Sequence, residues 1–405
     1  MTDSRFLQIH TLSPYTAVLL NRDDSGLAKR LLYGGTLRTR VSSQCLKRHW
    51  RFAESLHALH EIDGVTSSAR SRDLVTDGVI AAARKRAEEE FPEDVVLALE
   101  PWFQFAVYGS KKADRPKSRG EESKFANKSS RQTLLFGEPE IKWLASEFIR
   151  LAVEAEGDAD KAFRLGGEWV DGAGVQESKR GEKKEFLKNM SEMRERTTLP
   201  AGLTGALFGR MVTSDSDANI SAPVHVAHAF TVHGEEAETD YFTAVDDLSD
   251  DEPGADTIQE TELTSGLYYG YVVVDLPGLI SNLSGDADLA GQVLHNLIYL
   301  IAEISPGAKL GSTAPYSRAS FMLLEAGDRQ PRSLAEAYRA ACAPEAGAAV
   351  SALSAHLAAL DEAYATGEKR RVMSLVKTDV PGAERGSLAD LAGWAKALPA
   401  APSTS

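Results

Sequence analysis

The sequence of 405 residues predicts an α+β fold whose β-sheet is assembled from distant parts of the chain. Strand-like stretches occur near the N-terminus, within residues 224–275 and at residues 321–324, and stretches rich in helix-forming residues lie between them. Strands and helices that do not alternate regularly are typical of α+β folds rather than of parallel α/β sheets. At ~100–200 residues per domain, the length leaves room for two or three units, or for one domain with large insertions.

The first part of the chain predicts two strands followed by a helix. Residues 6–10 alternate between apolar and polar side chains, which is typical of a strand with one buried face. Residues 38–41 form a short extended segment, and Ser42 and Ser43 then supply an N-cap. Residues 44–59 contain good helix formers and neither Gly nor Pro, so we expect a helix to begin at the two serines.

The composition changes between residues 61 and 196. Helical stretches at residues 73–90 and 140–156 flank a long polar segment at residues 109–131, and a second charged run covers residues 179–196. Polar connections of this length are usually either functional or disordered. We expect residues 61–196 to be an insertion into the first domain.

The second half of the chain predicts a hairpin-like excursion and then further strands and helices. Residues 199–211 are apolar with three glycines, residues 212–223 are polar and turn-rich, and residues 224–232 resemble a strand, which fits a hairpin. The remaining predicted elements are a strand at 267–275, a helix at 286–304, a strand at 321–324 and an Ala-rich helix at 333–364.

The composition excludes several classes of protein. An apolar fraction of 43% and a charged fraction of 26% are ordinary for a soluble globular protein, and no apolar run approaches the ~20 residues that span a bilayer. The first residues contain no apolar run of a secretory signal. The cysteines are Cys45 and Cys342 alone, which form neither a disulfide framework nor a four-thiolate zinc site. We therefore expect a cytoplasmic protein with no membrane contact and no cofactor.

The charge is distributed unevenly along the chain. Residues 235–262 contain twelve acids and no Lys or Arg, so this segment accounts for all but two units of the net charge of −14. Residues 25–53 contain seven bases and no acid. A polyanion responds to the field within a Debye length of ~8–10 Å rather than to the total charge. The net charge therefore does not exclude nucleic acid as a partner.

The basic segment predicts a phosphate-binding helix. Gln44, Lys47, Arg48 and Arg51 have the i, i+3, i+4, i+7 spacing that places side chains on one helical face. The apolar residues of the helix lie on another face that can dock on the sheet. The two serines place free backbone N–H groups at the helix start, where an anion is favoured. The alternative is a solvated basic face, but solvated faces usually mix both signs of charge.

Two further segments are candidates for RNA contact. The polar loop at residues 21–25, with Lys29 beyond it, offers Arg22 to a phosphate and Asn21 to a base or sugar; the alternative is an Asx-type turn. Residues 207–211 place a flexible glycine beside Phe208, Arg210 and Met211, and apolar tips of this kind can wedge between stacked bases. The alternative for this second segment is a hairpin that packs its own core.

Catalytic and metal sites have weak support in the sequence. His225, His228 and His233 are close together, but on a strand residues i and i+3 face opposite sides and no cysteine completes a ligand set. Asp246 and Asp247 could hold Mg²⁺, although carboxylates in a solvated acidic loop are commoner. The Walker phosphate loop, the nucleophile elbow and the dinucleotide-binding glycine motif are all missing from the sequence.

Eight short motifs nevertheless occur in an order that indicates a family. They are NRDD at 21–24, YGG at 33–35, RVSSQCLKR at 40–48, ALFGRM at 206–211, VAHA at 226–229, DYFTAVDDL at 240–248, SGLYY at 265–269 and PGAK at 306–309. Together they resemble the CasC-type backbone subunit of the type I-E CRISPR Cascade complex. The motifs extend over most of the chain, whereas residues 61–196 and the Ala-rich C-terminal part match only loosely.

The resemblance implies an RRM-like (ferredoxin-like) palm formed by residues 1–60 and 233–405, a helical fingers insertion at 61–196, and a thumb hairpin with its return strand at 197–232. It implies a subunit that is not an enzyme. Its partners would be CRISPR RNA, target DNA, copies of itself in a filament and other Cascade subunits. The RNA-binding residues that the helix and the resemblance together suggest are Arg22, Lys29, Ser43, Gln44, Lys47, Arg48, Arg51 and Lys309, with Arg210 and Met211 at the thumb.

The sequence also indicates which part of the RNA would be contacted. No stretch fits the aromatic signature with which RNA-recognition motifs stack bases, so we expect contacts to phosphates that leave base edges free for pairing. Residues 109–131 carry a net charge of +5, which suggests DNA contacts by Lys111, Lys112 and Lys117. Two alternatives stay open: an RNA-processing endoribonuclease, and an acidic interaction protein that binds no nucleic acid.

Overall fold

The computed structural model describes residues 4–109, 111–120, 124–172, 184–244, 257–377 and 379–400. The chain divides into two compact units. The first, here called the sheet unit, comprises Met1–Ile62, Val224–Ile280 and Asp286–Ser405. The second, the helical unit, comprises Asp63–Pro223 and Ser281–Gly285.

The described strands and helices alternate irregularly along the chain, as expected for a mixed α+β fold. The strands are β1 (Phe6–Val18), β2 (Arg30–Tyr33), β3 (Thr36–Val41), β4 (Ser68–Ser71), β5 (Leu134–Gly137), β6 (Val224–Val226), β7 (Ala229–Thr231), β8 (Glu236–Ala244), β9 (Thr257–Asp275), β10 (Phe321–Gly327), β11 (Lys369–Ser374) and β12 (Ala383–Arg385). The helices are α1 (Ser43–Arg51), α2 (Ala81–Arg86), α3 (Glu93–Tyr108), α4 (Glu138–Glu154), α5 (Ala159–Asp171), α6 (Glu185–Glu195), α7 (Gly202–Phe208), α8 (Leu276–Asn282), α9 (Ala287–Glu303), α10 (Leu310–Thr313), α11 (Ala346–Tyr364) and α12 (Leu388–Ala397).

A ten-stranded sheet forms the centre of the sheet unit. Its strand order is β12-β11-β10-β1-β9-β7-β3-β2, and β6 and β8 also pair with β9. The N-terminal strand β1 lies antiparallel between β10 and β9, so that Ile9 pairs with Leu324 on one side and with Val272 on the other. This confirms the prediction that the sheet is assembled from distant parts of the chain.

Helices and loops cover both faces of this sheet. On one face, Ile9 and Val272 lie beside Leu46 and Trp50 of α1 and Ile301 of α9. On the other face, buried side chains of β1, β9 and β10 form a core with Tyr338 and the apolar side of α11. Fully burying side chains of this kind stabilises a fold by ~1.5–3 kcal/mol each. The middle of the sheet therefore has no free face on which bases could stack.

A buried ionic cluster lies on the second face of the sheet, which α11 covers. The carboxylate of Glu325 accepts hydrogen bonds from Arg332 and Arg370, and it lies 3.0 Å from Nε2 of His10. The other ring nitrogen of His10 lies 2.9 Å from the hydroxyl of Tyr269. Burial lowers the pKa of His10 more than the adjacent carboxylate raises it. The imidazole is therefore neutral, and it donates to Glu325 while it accepts from Tyr269.

The helical unit has its own core. Helices α3, α4, α5 and α6 bury a set of aromatic rings, and the rings of Phe103 and Trp169 stack with their centroids 4.2 Å apart. A two-stranded sheet of β4 and β5 lies in the same unit. This core consists only of residues of the helical unit, which is therefore a compact body with its own core.

The structure differs from the sequence predictions at several places. The Ala-rich helix α11 begins at Ala346 rather than at residue 333, because Pro344 disfavours helical geometry in the residue before it. The single strand predicted at 224–232 consists of β6 and β7, which pair with different parts of β9. Residues 197–223 belong to the helical unit and contain α7 instead of a pair of strands.

The acidic segment contains structure that the sequence did not predict. Strand β8 pairs antiparallel with β9 from Glu236–Ser265 to Ala244–Thr257, so the two strands form a long hairpin. The connection at residues 245–256 lies outside the described residues. None of the helices in the described part of the chain combines the length and the hydropathy needed to cross a lipid bilayer.

Candidate nucleic-acid interface

Helix α1 begins at Ser43, where the sequence predicted its start. Ser42 is the N-cap, and its hydroxyl accepts a hydrogen bond from the Cys45 amide at 3.3 Å. Trp50 is buried against the sheet. The predicted contact residues have unequal access: Gln44 and Arg48 are exposed, Lys47 and Arg51 are half-buried, and Ser43 is buried.

The basic residues at the end of α1 also have a structural role. Arg48 and Arg51 lie in the last turn, where positive charge stabilises the helix dipole. The helix ends at Arg51, earlier than predicted, and the C-cap residue Phe52 is 59% exposed. Both guanidinium groups lie 5.1 Å from the centre of the Phe52 ring, which limits where these two cations point.

The loop that contains Arg22 is tied to the start of α1. The side-chain oxygen of Asn21 accepts from the Ser42 amide at 2.9 Å, and its carbonyl accepts from the Lys29 amide at 2.9 Å. Asp23 caps the turn with hydrogen bonds from the amides of Ser25 and Leu27. The Asx-type turn is therefore present, and it leaves Arg22 exposed beside the helix.

The loop that contains Lys309 reaches the same end of the sheet unit. The Gly307 amide donates to Nε2 of His49 at 3.4 Å, and the Ala308 amide donates to the Leu19 carbonyl at 2.9 Å. Lys309 adopts left-handed backbone geometry with φ 55°, and its ammonium group contacts the hydroxyl of Thr261. The contacts to His49 and Leu19 therefore hold the Lys309 loop beside α1 and the end of β1.

The surroundings of His228 indicate that this region is positively charged. Its Nδ1 atom lies 2.9 Å from the guanidinium of Arg40, for which it is the acceptor. Burial lowers the pKa of His228, and the positive charges of Arg40, Lys29 and Lys47 lower it further. A neutral imidazole among three cations indicates a field that favours an anion at this surface.

Arg210 and Met211 have opposite environments in the helical unit. Arg210 is buried, and its guanidinium donates to the carboxylate of Glu140 at 2.5 Å and to the Ala218 carbonyl at 2.8 Å. This placement matches the alternative in which the segment packs its own core, so we assign Arg210 a structural role. Met211 is 69% exposed.

The candidate DNA-contact residues lie in a segment whose charge is largely balanced. Lys111 and Lys117 are exposed, and the side chain of Lys112 lies outside the described part of the structure. The other bases of residues 109–131 form ion pairs, which are Arg115–Asp171, Arg119–Asp160, Lys124–Asp114, Lys128–Asp73 and Arg131–Asp73. Three of these acids lie outside the segment, so its effective positive charge is smaller than its sequence suggests.

The histidines form no metal site among the described residues, where no group of three metal-ligating side chains occurs. Both ring nitrogens of His233 are engaged, because Nδ1 donates to the Gly234 carbonyl and Nε2 accepts from the Leu267 amide. His225 is exposed on β6. Asp246 and Asp247 lie outside the described residues.

The chain is similar to one known protein family over almost its whole length. A model of the family described as CT1975-like protein matches residues 7–396, which is nearly the whole chain. The chain belongs to the CT1975-like protein family. No curated protein matches it significantly.

Two solved structures share the fold of this CT1975-like chain. A chain of a "CRISPR RNA-guided surveillance complex, pre-nicking" is 24% identical, with a TM-score of 0.73 over 96% of this chain and 100% of that chain. A chain of a "CRISPR RNA-guided surveillance complex" is 23% identical, with a TM-score of 0.65 over 96% of this chain and 99% of that chain.

The sequence did not show how some residues shape this surface in the CT1975-like protein. Asn21 and His49 hold two loops against α1, Arg40 adds a cation, and Phe52 restrains Arg48 and Arg51. A polar residue that binds a backbone group far along the chain gives no local signal. Phe52 was detectable in principle, because an aromatic residue directly after a basic helix can stack on guanidinium groups.

Proposed function

We propose that the protein is a non-catalytic, CRISPR RNA-binding backbone subunit of a Cascade complex, as the type I-E resemblance implies. In this proposal several copies line up along one guide RNA, grip its sugar–phosphate chain and leave its bases free to pair with target DNA. Other Cascade subunits are further partners, and the setting is the cytoplasm. Family membership and the shared fold of surveillance-complex chains support the assignment.

The observation that carries the proposal is the placement of cations on α1 and on two loops that are hydrogen-bonded to this helix. The exposed side chains of Gln44 and Arg48, the half-buried Lys47 and Arg51, and the loops of Arg22, Lys29 and Lys309 lie on α1 or beside it. Because both sheet faces are covered, bases have no sheet surface on which to stack. Contacts of this kind suit phosphates, which carry no sequence information.

The strand order supports an RRM-like palm. The central part of the sheet has the order β10-β1-β9-β7 with all neighbours antiparallel. Helix α1 lies in sequence between β1 and β7, and α9 lies between β9 and β10. A βαββαβ chain in this order has the ferredoxin-like arrangement. Strands β2, β3, β11 and β12 then extend the palm at its two edges.

The long hairpin of β8 and β9 is a better candidate for the thumb than residues 197–223. Strand β9 pairs with β1 from Asp275 to Thr264, and residues 257–263 then continue beyond this pairing with β8 as their partner. Tyr241 on β8 is 61% exposed. We therefore propose that the hairpin folds over RNA held by a neighbouring copy, while residues 197–223 belong to the fingers.

The proposal is tested by reversing two charges on α1. We expect Lys47→Glu with Arg51→Glu to weaken binding of unrelated guide sequences by a similar factor. The slope of log affinity against log salt should fall by about 1.4, since each phosphate contact on a single strand contributes ~0.7. The matched control is Lys111→Glu with Lys117→Glu, which changes the net charge equally but should leave guide binding nearly intact. Loss confined to one guide sequence, or equal loss in the control, contradicts the proposal.

A further inference from the structure

Two carboxylates at the base of the acidic hairpin hold one arginine of the basic segment. Oε1 of Glu235 accepts from Nε of Arg30 at 2.5 Å, and Oε1 of Glu262 accepts from Nη2 of the same guanidinium. The side chains of Arg30, Glu235 and Glu262 are only 27%, 15% and 11% exposed. Such a shielded pair of contacts is less weakened by solvent and salt than an ordinary surface ion pair.

Glu262 uses its second oxygen on the backbone of the same loop. Its Oε2 atom accepts from the Ala28 amide at 2.5 Å. The guanidinium of Arg30 in turn donates to the Ala28 carbonyl at 3.1 Å. One carboxylate thus binds both neighbours of Lys29 in the chain.

The backbone of Lys29 is fixed between the Asn21 loop and β3. Its amide donates to the Asn21 carbonyl at 2.9 Å, and its carbonyl accepts from the Arg40 amide at 2.8 Å. Asn21 is the residue that also binds the Ser42 amide at the start of α1. The contacts therefore run without interruption from the acidic hairpin through the Lys29 loop to the phosphate-binding end of α1.

We propose that Glu262, assisted by Glu235, is a positioning residue that presents the Arg22–Lys29 loop to the guide RNA and couples it to the hairpin of β8 and β9. This inference rests on the proposed function, because it concerns the same RNA surface. It also gives the two acids at the hairpin base a role that the charge of the segment alone does not suggest.

The proposal makes a prediction opposite in sign to simple electrostatics. A negative charge close to an RNA-binding surface repels phosphates, so its removal should strengthen binding. If Glu262 positions the loop, its removal releases Lys29 and Arg22 and weakens binding instead. Glu260 provides a matched control, because it is an exposed acid two residues away on the same face of β9.

The experiment compares Glu262→Gln, Glu262→Ala, Glu235→Gln and Glu260→Gln with the unmodified full chain. Binding of fluorescein-labelled oligouridine is measured by anisotropy over a range of salt, and hydrogen exchange of the amides of residues 21–29 is measured without RNA. We expect Glu262→Ala to bind about fivefold more weakly, a modest coupling, with a smaller salt slope. Glu262→Gln keeps an acceptor for the Ala28 amide and should lose less, and Glu260→Gln should bind equally or more tightly.

Each outcome is informative. Faster exchange of the Ala28 and Lys29 amides in Glu262→Ala, with unchanged exchange in β1 and β10, shows a local change rather than unfolding. Binding by Glu262→Ala that equals or exceeds that of the unmodified chain overturns the positioning role. If Glu262→Ala does not fold, unchanged binding by Glu262→Gln and Glu235→Gln overturns it. If the unmodified chain binds no oligouridine, the proposed function fails and the positioning role fails with it. Weaker binding by the Glu262 variants, with normal binding by the unmodified chain and by Glu260→Gln, supports the positioning role.

Discussion

Arg210 donates from Nη1 to Oε2 of Glu140 at 2.5 Å, and both side chains are almost completely buried. Glu140 also accepts from Arg194 at 2.7 Å and from the Gly137 amide at 3.0 Å, so it connects α4, α6 and the segment after α7. A buried charge that loses a partner destabilises the fold, because its desolvation is no longer compensated. This relationship explains why a cation that looks suited to RNA serves the core of the helical unit.

We predict that Arg210→Met lowers the free energy of unfolding of the helical unit by about 3 kcal/mol, the lower end for a broken buried pair because Arg194 still binds Glu140. Urea unfolding followed by tryptophan fluorescence measures this change. Arg164→Met in the same unit is the control, since Arg164 and Glu168 form an exposed pair that should contribute less than ~1 kcal/mol. Equal stability of the two variants contradicts the assignment of Arg210 to the core.

The sequence could predict elements whose signals are local. The helix α9 was predicted within one residue at each end, and the start of α1 was predicted from Ser42 and Ser43. The hairpin of β8 and β9 was missed because acidic residues have low strand propensity and the stretch contains twelve of them. Its stability comes from pairing along β9, which no local pattern shows.

The candidate site was predictable in its residue types but not in its assembly. The face of α1 followed from spacing, Arg22 followed from its position in a polar loop, and Lys309 followed from the resemblance. Their meeting depends on contacts such as Gly307 with His49, which are 258 residues apart. In the same way, the partner of Arg210 lies 70 residues away, so the sequence could not show that this cation is buried.

We predict that the sheet unit becomes less stable as the pH falls below about 6.5. Burial lowers the pKa of His10 below its usual value of 6.5, so the unfolded chain binds a proton there before the folded chain does. Burial raises the pKa of Glu325, but hydrogen bonds from His10 and Arg332 outweigh it, and the pKa lies below its usual value of 4.5. Stability is therefore complete above these usual values, and it is lost first through His10 and then, below pH 4.5, through Glu325.

Hydrogen exchange of β1 amides between pH 8 and pH 5, corrected for the intrinsic effect of pH, measures this loss. His10→Gln keeps a polar side chain but cannot take up a proton, so it should remove the part of the pH dependence that lies near pH 6. His60→Gln is the control, because His60 is about half exposed on the surface. If the loss of protection near pH 6 persists in His10→Gln and disappears in His60→Gln, it does not come from His10, and the prediction is wrong.

We predict that base displacement in the guide depends on exposed apolar side chains rather than on the cations. Met211 and Tyr241 are 69% and 61% exposed, and they lie on the two segments that compete for the role of the thumb. Met211→Gly and Tyr241→Gly should each leave the overall RNA affinity nearly intact, since phosphate contacts supply most of it. Nuclease protection of a guide bound by several copies, mapped at single-nucleotide resolution, shows where bases are displaced.

A changed pattern in Tyr241→Gly alone assigns the thumb to the hairpin of β8 and β9, and a changed pattern in Met211→Gly alone assigns it to residues 197–223. An unchanged pattern in both variants excludes these side chains as wedges, and then displacement must come from the backbone of the segments or from another subunit.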